Sequence, residues 1–176
     1  DAVRRATILR AADGAARAVS NRISQVSCGM IAREQRVCIA NSEGLYTSDR
    51  HVRTRIAVQA VASDGHENQS GSASPGRGMG LEMFETIDPA DVGREAARGA
   101  LVNLRAGYCE AGRMTVAIEN GFGGVIFHEA CGHSLEATQV GVGMSEMCGK
   151  LGQKIANEKI TAIDDGTIAG AWGSTN

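Results

Sequence analysis

Between residues 52 and 63 the chain alternates in a way that leaves little choice of structure. Thr54, Ile56, Val58, Ala60 and Ala62 fall on one face of an extended strand, and Arg53, Arg55 and Gln59 on the other. A strand with one oily and one charged face belongs in an antiparallel sheet that is covered on one side and wet on the other. Asp64-Gly65 follows, a dipeptide that suits a tight hairpin, so the polar residues 66–74 are expected to pair back as a second, edge strand. Upstream, β-branched residues concentrate at 23–28 and 36–40, which read as two further strands. Asn41-Ser42-Glu43-Gly44 supplies turn chemistry before residues 45–50. His51 and His66 are single histidines in this sheet and take an ordinary structural role.

Something must cover the oily face, and two helices are available. Residues 2–20 place Val3, Ala6, Ile8, Leu9, Ala12, Ala16 and Val19 at three-to-four spacing, with arginines at 4, 5, 10 and 17 on other faces. Asp88-Pro89 caps a second helix, with proline at its first position, Asp91 in its first turn and a stripe of Val92, Ala96, Ala97, Ala100, Leu101 and Leu104. Between the sheet and that helix lies the glycine-rich run 74–80. It lacks the Lys-Ser/Thr of a phosphate-binding loop and reads as a mobile connection. A break at Ala106-Gly107 marks the expected boundary between residues 1–106 and a second domain, 107–176.

In that second part, residues 113–118 and 160–163 read as strands, and residues 119–124 turn the chain into Val125-Ile126-Phe127-His128-Glu129-Ala130-Cys131-Gly132-His133. Two imidazoles can donate neutral nitrogens to zinc, and Glu129, beside the first, can take a proton from water there. The spacing is unusual. Zinc-binding helices of the H-E-x-x-H kind set their histidines four apart, whereas His128 and His133 are five apart. At roughly 100° per residue, five steps carry the second ring about 140° round a regular helix. Both rings reach one ion only if the helix takes an extra residue as a π-bulge or bends near Gly132. The plainer alternative is a helix whose histidines simply pack or face water. Cys131 lies inside the motif, but leaves it on a different side from His128.

The net charge of −2 and a pI near 6.1 give no electrostatic footprint for a phosphate backbone, so nucleic acid is not an expected partner. No run approaches the roughly 20 apolar residues of a membrane span. Cys28, Cys38, Cys109, Cys131 and Cys148 form an odd, scattered set that suits a reduced cytoplasmic protein better than a disulfide framework. The chain opens at Asp1 without an initiator methionine and stops at Asn176 without an evident terminating element, as an internal fragment would.

The segment G-V-I-F-H-E-A-C-G-H-S-L-E-A resembles the HExxxH region of the TldD/PmbA metallopeptidases, a family once called modulators of DNA gyrase. Gly149-Lys150-Leu151-Gly152-Gln153-Lys154-Ile155-Ala156, Thr161-Ala162-Ile163-Asp164-Asp165-Gly166 and Ile39-Ala40-Asn41-Ser42-Glu43-Gly44 are similar to that family as well. The resemblance implies an α+β fold: an amino-terminal antiparallel sheet with amphipathic helices, then the start of a β-rich metallopeptidase domain carrying the metal-binding helix. It implies Zn²⁺ on His128 and His133, Glu129 as the catalytic base, and a third ligand from a cysteine beyond Asn176. It also implies a cytoplasmic homodimer, or a heterodimer with a related TldE/PmbA-type subunit, acting on short or unfolded peptides. A catalytically silent peptide-binding subunit and a metal hydrolase of a non-peptide bond are the alternatives.

Overall fold

The computed structural model describes residues 2–175 and, Phe122 excepted, their side chains. Two compact units are separable. One takes in the chain through Tyr108 and again from Asp164 onward, the other Cys109–Ile163. Helices and an antiparallel sheet together make an α+β fold.

In the first unit, strand β2 (Tyr46–Ser63) is central. Strand β1 (Ile23–Ala40) pairs with it antiparallel along its whole length, from Ile23 opposite Ala62 to Ala40 opposite Tyr46. Strands β3 (Asn68–Ala73) and β4 (Gly76–Arg77) pair with β2 in succession along its other edge. The two strands expected at 23–28 and 36–40 are therefore one. The polar stretch between them continues the ladder, with Arg33 opposite Arg53 and Glu34 opposite Val52. Polar side chains do not break a strand where they remain in contact with water, and Glu34 accepts hydrogen bonds from Arg50 and Arg36 at 3.0 Å.

The alternation of β2 is realised in full. Thr54, Ile56, Val58, Ala60 and Ala62 are no more than 1% exposed. Helix α2 (Pro89–Arg105) packs on β2 and β3, and helix α1 (Ala2–Arg17) on β1 and against α2. The buried stripe of α2 is Val92, Ala96, Ala97, Ala100 and Leu104, with Leu101 at its margin; that of α1 is Ile8, Ala12 and Ala16. Val3, expected in the stripe of α1, is exposed because the first turn buries nothing. The cap of α2 is as expected: the Asp88 carboxylate accepts from the Ala90 amide at 2.9 Å and Pro89 opens the helix.

The 74–80 run is not a free loop. Gly76 and Arg77 pair with Arg55 and Thr54, and the Ile56 amide donates to the Pro75 carbonyl. The returning tail fastens it further: the Gly78 amide donates to the Gly170 carbonyl at 2.9 Å, and the Arg55 guanidinium lies 5.8 Å from the centre of the Trp172 ring.

The second unit is built differently. No described residue in 109–163 is buried and none is in a strand. Residues 113–118 and 160–163, expected as strands, are irregular. Met114, Val116 and Ile118 are each more than half exposed. A strand exists only through a ladder partner, and none is formed in this unit.

Two glycines of α2 should respond oppositely to substitution. A Cβ on Gly93 would collide with the backbone carbonyl of Ala12, where α1 and α2 touch. Gly93→Ala should therefore lose about 1–3 kcal/mol in urea unfolding, outweighing a gain of up to about 1 kcal/mol in helix propensity. A Cβ on Gly99 would lie 3.5 Å from Gly71, an ordinary contact, so Gly99→Ala should be neutral or slightly stabilising. The Glu34 carboxyl is held at about 2, below its ordinary 4.5, first by the hydrogen bond from Arg50 and then by that from Arg36. Because the folded-state value lies below the unfolded one, this pairing favours the folded ribbon above about pH 4.5 and is lost as pH falls toward 2. Carboxyl ¹³C titration should show that low midpoint, and Arg50→Ala should return it most of the way.

Candidate metal centre

The chain enters the motif through Gly121, whose φ of 84° suits glycine, and a tight turn at Gly121–Gly124. One α-helical turn, Val125–Phe127, leads into a wider π turn over His128–Gly132, and the helix tightens again at His133–Leu135. The decisive bond is backbone to backbone: the His133 amide donates to the His128 carbonyl, five residues back. That extra residue in the turn cancels the angular offset that five steps impose on a regular helix. The two imidazole centres consequently lie 4.4 Å apart, with an angle of 62° between ring planes.

Of the two routes open from the spacing, the π-bulge is the one taken. Gly132 is not a hinge, since its φ and ψ of −59° and −49° are ordinary helix. Its lack of a side chain matters for another reason: a Cβ there would sit 3.3 Å from His128 Nδ1. Glycine leaves room for the ring.

Glu129 completes the group, with Oε2 3.7 Å from His133 Nε2. One donor atom each from His128, Glu129 and His133 lies within 4.8 Å of the others, and all three residues are exposed. It is the only such group of three among the described residues. Zinc with ligands at about 2.0–2.1 Å in tetrahedral array spaces neighbouring donors by about 3.4 Å, close to the spacing of these atoms, all within 4.8 Å of one another. Two imidazole nitrogens beside a carboxylate are also the donor chemistry this ion takes. The residues fit. Cys131, half-buried, is outside the group. His51 pairs with Asp49 at 2.6 Å in the sheet, and His66 sits in the turn before β3.

Glu136 was not among the residues the sequence pointed to. Its Oε1 is 2.7 Å from His133 Nδ1, across the tight turn that follows the π-bulge. The signal was present in His133-Ser134-Leu135-Glu136, a carboxylate three residues after the second histidine, where helical side chains meet. Beyond it a short helix, Ala137–Gly141, ends the segment, and the chain folds back. Ser145 Oγ donates to the Ser134 carbonyl, and Ser134 Oγ to Glu146 at 3.3 Å.

Comparison with known proteins covers nearly the whole chain. The family model of the PmbA/TldA metallopeptidase central domain matches residues 2–104, and that of the C-terminal domain matches residues 111–176. The chain is 32% identical over 172 residues to a metalloprotease TldD homolog of Haemophilus influenzae, covering 95% of this chain and 36% of that protein. It is 40% identical over 130 residues to a metalloprotease of Methanothermobacter thermautotrophicus, covering 74% and 29%. The chain thus spans about a third of the length of these curated relatives. Its fold is like that of a Thermotoga maritima protein provisionally described as a modulator of DNA gyrase. The TM-score is 0.67 at 21% identity, over 86% of this chain and 34% of that one.

The closeness of position 132 to His128 can be checked directly. Gly132→Ala should displace the His128 ring by a few tenths of an ångström while leaving the backbone helical. In imidazole ¹H–¹⁵N spectra the His128 signals should move while those of His51 and His66 stay in place. Unmoved His128 signals would mean the ring does not lie over Gly132.

Proposed function

The chain belongs to the PmbA/TldD metallopeptidase family, and from that membership we propose that it is the metal-binding part of a zinc-dependent peptidase hydrolysing short or unfolded peptides. The observation that carries the reading is the π turn, which gathers His128, Glu129 and His133 within ligand reach of one another.

Zinc, when bound, supplies a Lewis acid that makes water nucleophilic near neutral pH and polarises the scissile carbonyl. His128 and His133 would hold it through neutral imidazole nitrogens. Glu129 is the general base. Adjacent in sequence to one ligand and 3.7 Å from the other, it accepts the proton of the attacking water and delivers it to the departing amine nitrogen. Its side chain is 63% exposed, within reach of a bound peptide. Catalytic zinc sites usually have three protein ligands, and the family resemblance implies a cysteine as the third beside His128 and His133.

We further propose that the chain divides near residues 106 and 107 into a sheet domain and the start of the metallopeptidase domain, and that the subunit pairs with a second copy or with a related TldE/PmbA-type subunit in the cytoplasm, a compartment that suits five free cysteines. No helix among the described residues is long and apolar enough to cross a membrane.

In the full-length protein, removing zinc with a chelator should stop cleavage of an unstructured peptide library, and adding zinc back should restore it. Glu129→Gln should keep its zinc yet lose turnover by roughly 10²- to 10⁴-fold. Parental turnover in that variant would show that another group is the base.

A further inference from the structure

We infer that Glu136 is a positioning residue for the metal centre: its carboxylate holds the His133 ring by Nδ1 and so assigns Nε2 to the ion. The inference deepens the metallopeptidase reading and rests on it. A carboxylate only accepts hydrogen bonds, so at 2.7 Å from Glu136 Oε1 it is His133 Nδ1 that carries the proton. The lone pair of the neutral ring is then on Nε2, the nitrogen that lies 3.7 Å from Glu129. His133 thus stands between two carboxylates with separate duties, one facing each nitrogen.

The backbone shows what Glu136 is not for. It occupies the cap position of the short helix Ala137–Gly141, and its carbonyl accepts from the Gln139 and Val140 amides, both at 3.0 Å. Its side chain makes no cap bond. Ser, Thr, Asp or Asn would serve a cap better, so the longer glutamate is explained by its reach to His133. Those backbone bonds, with the tight turn His133–Leu135 before them, fix the Glu136 backbone one turn from His133, and the side chain spans the gap. The His133 and Glu136 side chains are 53% and 46% exposed, so the contact orients a ring and contributes little to folding. Ligands so oriented bind metal more tightly because less rotational freedom is lost on binding, and losing such a partner typically weakens affinity roughly 10- to 100-fold.

The test measures zinc affinity of the full-length protein by competition with a chromophoric chelator, alongside the melting temperature of the metal-free protein. Glu136→Ala should weaken zinc binding roughly 10- to 100-fold with no change in metal-free melting. Glu136→Gln, which keeps an acceptor oxygen, should recover most of the loss, and His133→Ala should lose the site. The visible spectrum of the cobalt-substituted protein should change in Glu136→Ala and return in Glu136→Gln. Parental affinity in Glu136→Ala, with zinc lost in His133→Ala, would overturn the inference and leave the metal site standing. Equal losses in the Ala and Gln variants with lowered melting would make Glu136 structural, overturning it too. A parent protein that binds no zinc would overturn both this and the metallopeptidase reading.

Discussion

The first unit depends on the burial of one face of one strand. Ile56, Val58, Ala60 and Ala62 are removed from water by α1 and α2, and the small side chains among them set how closely the helices approach. Burying an Ile or Val side chain contributes roughly 1.5–3 kcal/mol, whereas an alanine contributes little area. Close backbone approach is the means by which an alanine-rich core gains contacts instead. Gly71 lies directly against the backbone of Ala96 and Ala100, and Gly93 against Ala12. Register follows from the same face, since a slip of one residue along β2 would turn its arginines inward.

The proposed metal centre depends on a different constraint, the count of residues between two histidines. A motif of four steps solves the problem with a regular helix; five steps require the hydrogen-bond ladder to widen for one turn and recover. Here the recovery is immediate, because the turn after the π-bulge is tighter than an α-helix and ends at Glu136 in extended conformation. Widening brings His128 and His133 together, and tightening brings Glu136 under His133.

How much of this was legible beforehand follows from whether the cause was local. The alternation of β2, the Asp64-Gly65 turn, the Asp88-Pro89 cap and the stripe of α2 are each written in a few adjacent residues, and all are present in the structure. The demand for a helix irregularity at His128–His133 was likewise a matter of geometry over six residues. What escaped was set at a distance. Residues 29–35 carry no strand signal of their own apart from their pairing with residues 51–57 of β2, and the run 74–80 has no local anchor without the Trp172 region that fastens it. Residues 113–118 have the pattern of a strand but lack a ladder partner. Glu136 stands inside the segment that resembles the family, but three residues past the second histidine, so the HExxxH spacing alone assigns it no role.

The distribution of buried residues along the chain has a consequence for biosynthesis. Every buried residue described lies between Ile8 and Leu104. A nascent polypeptide made from its amino end has therefore delivered the whole of this nucleus before the first histidine of the metal motif is translated. At about 5–20 residues per second, the ribosome takes a second or more to cover the residues from Leu104 to His128, long enough for a small helix-and-hairpin unit to collapse and settle. The His128–His133 segment is thus made after every buried core residue but before the tail from Asp164 that fastens the 74–80 run.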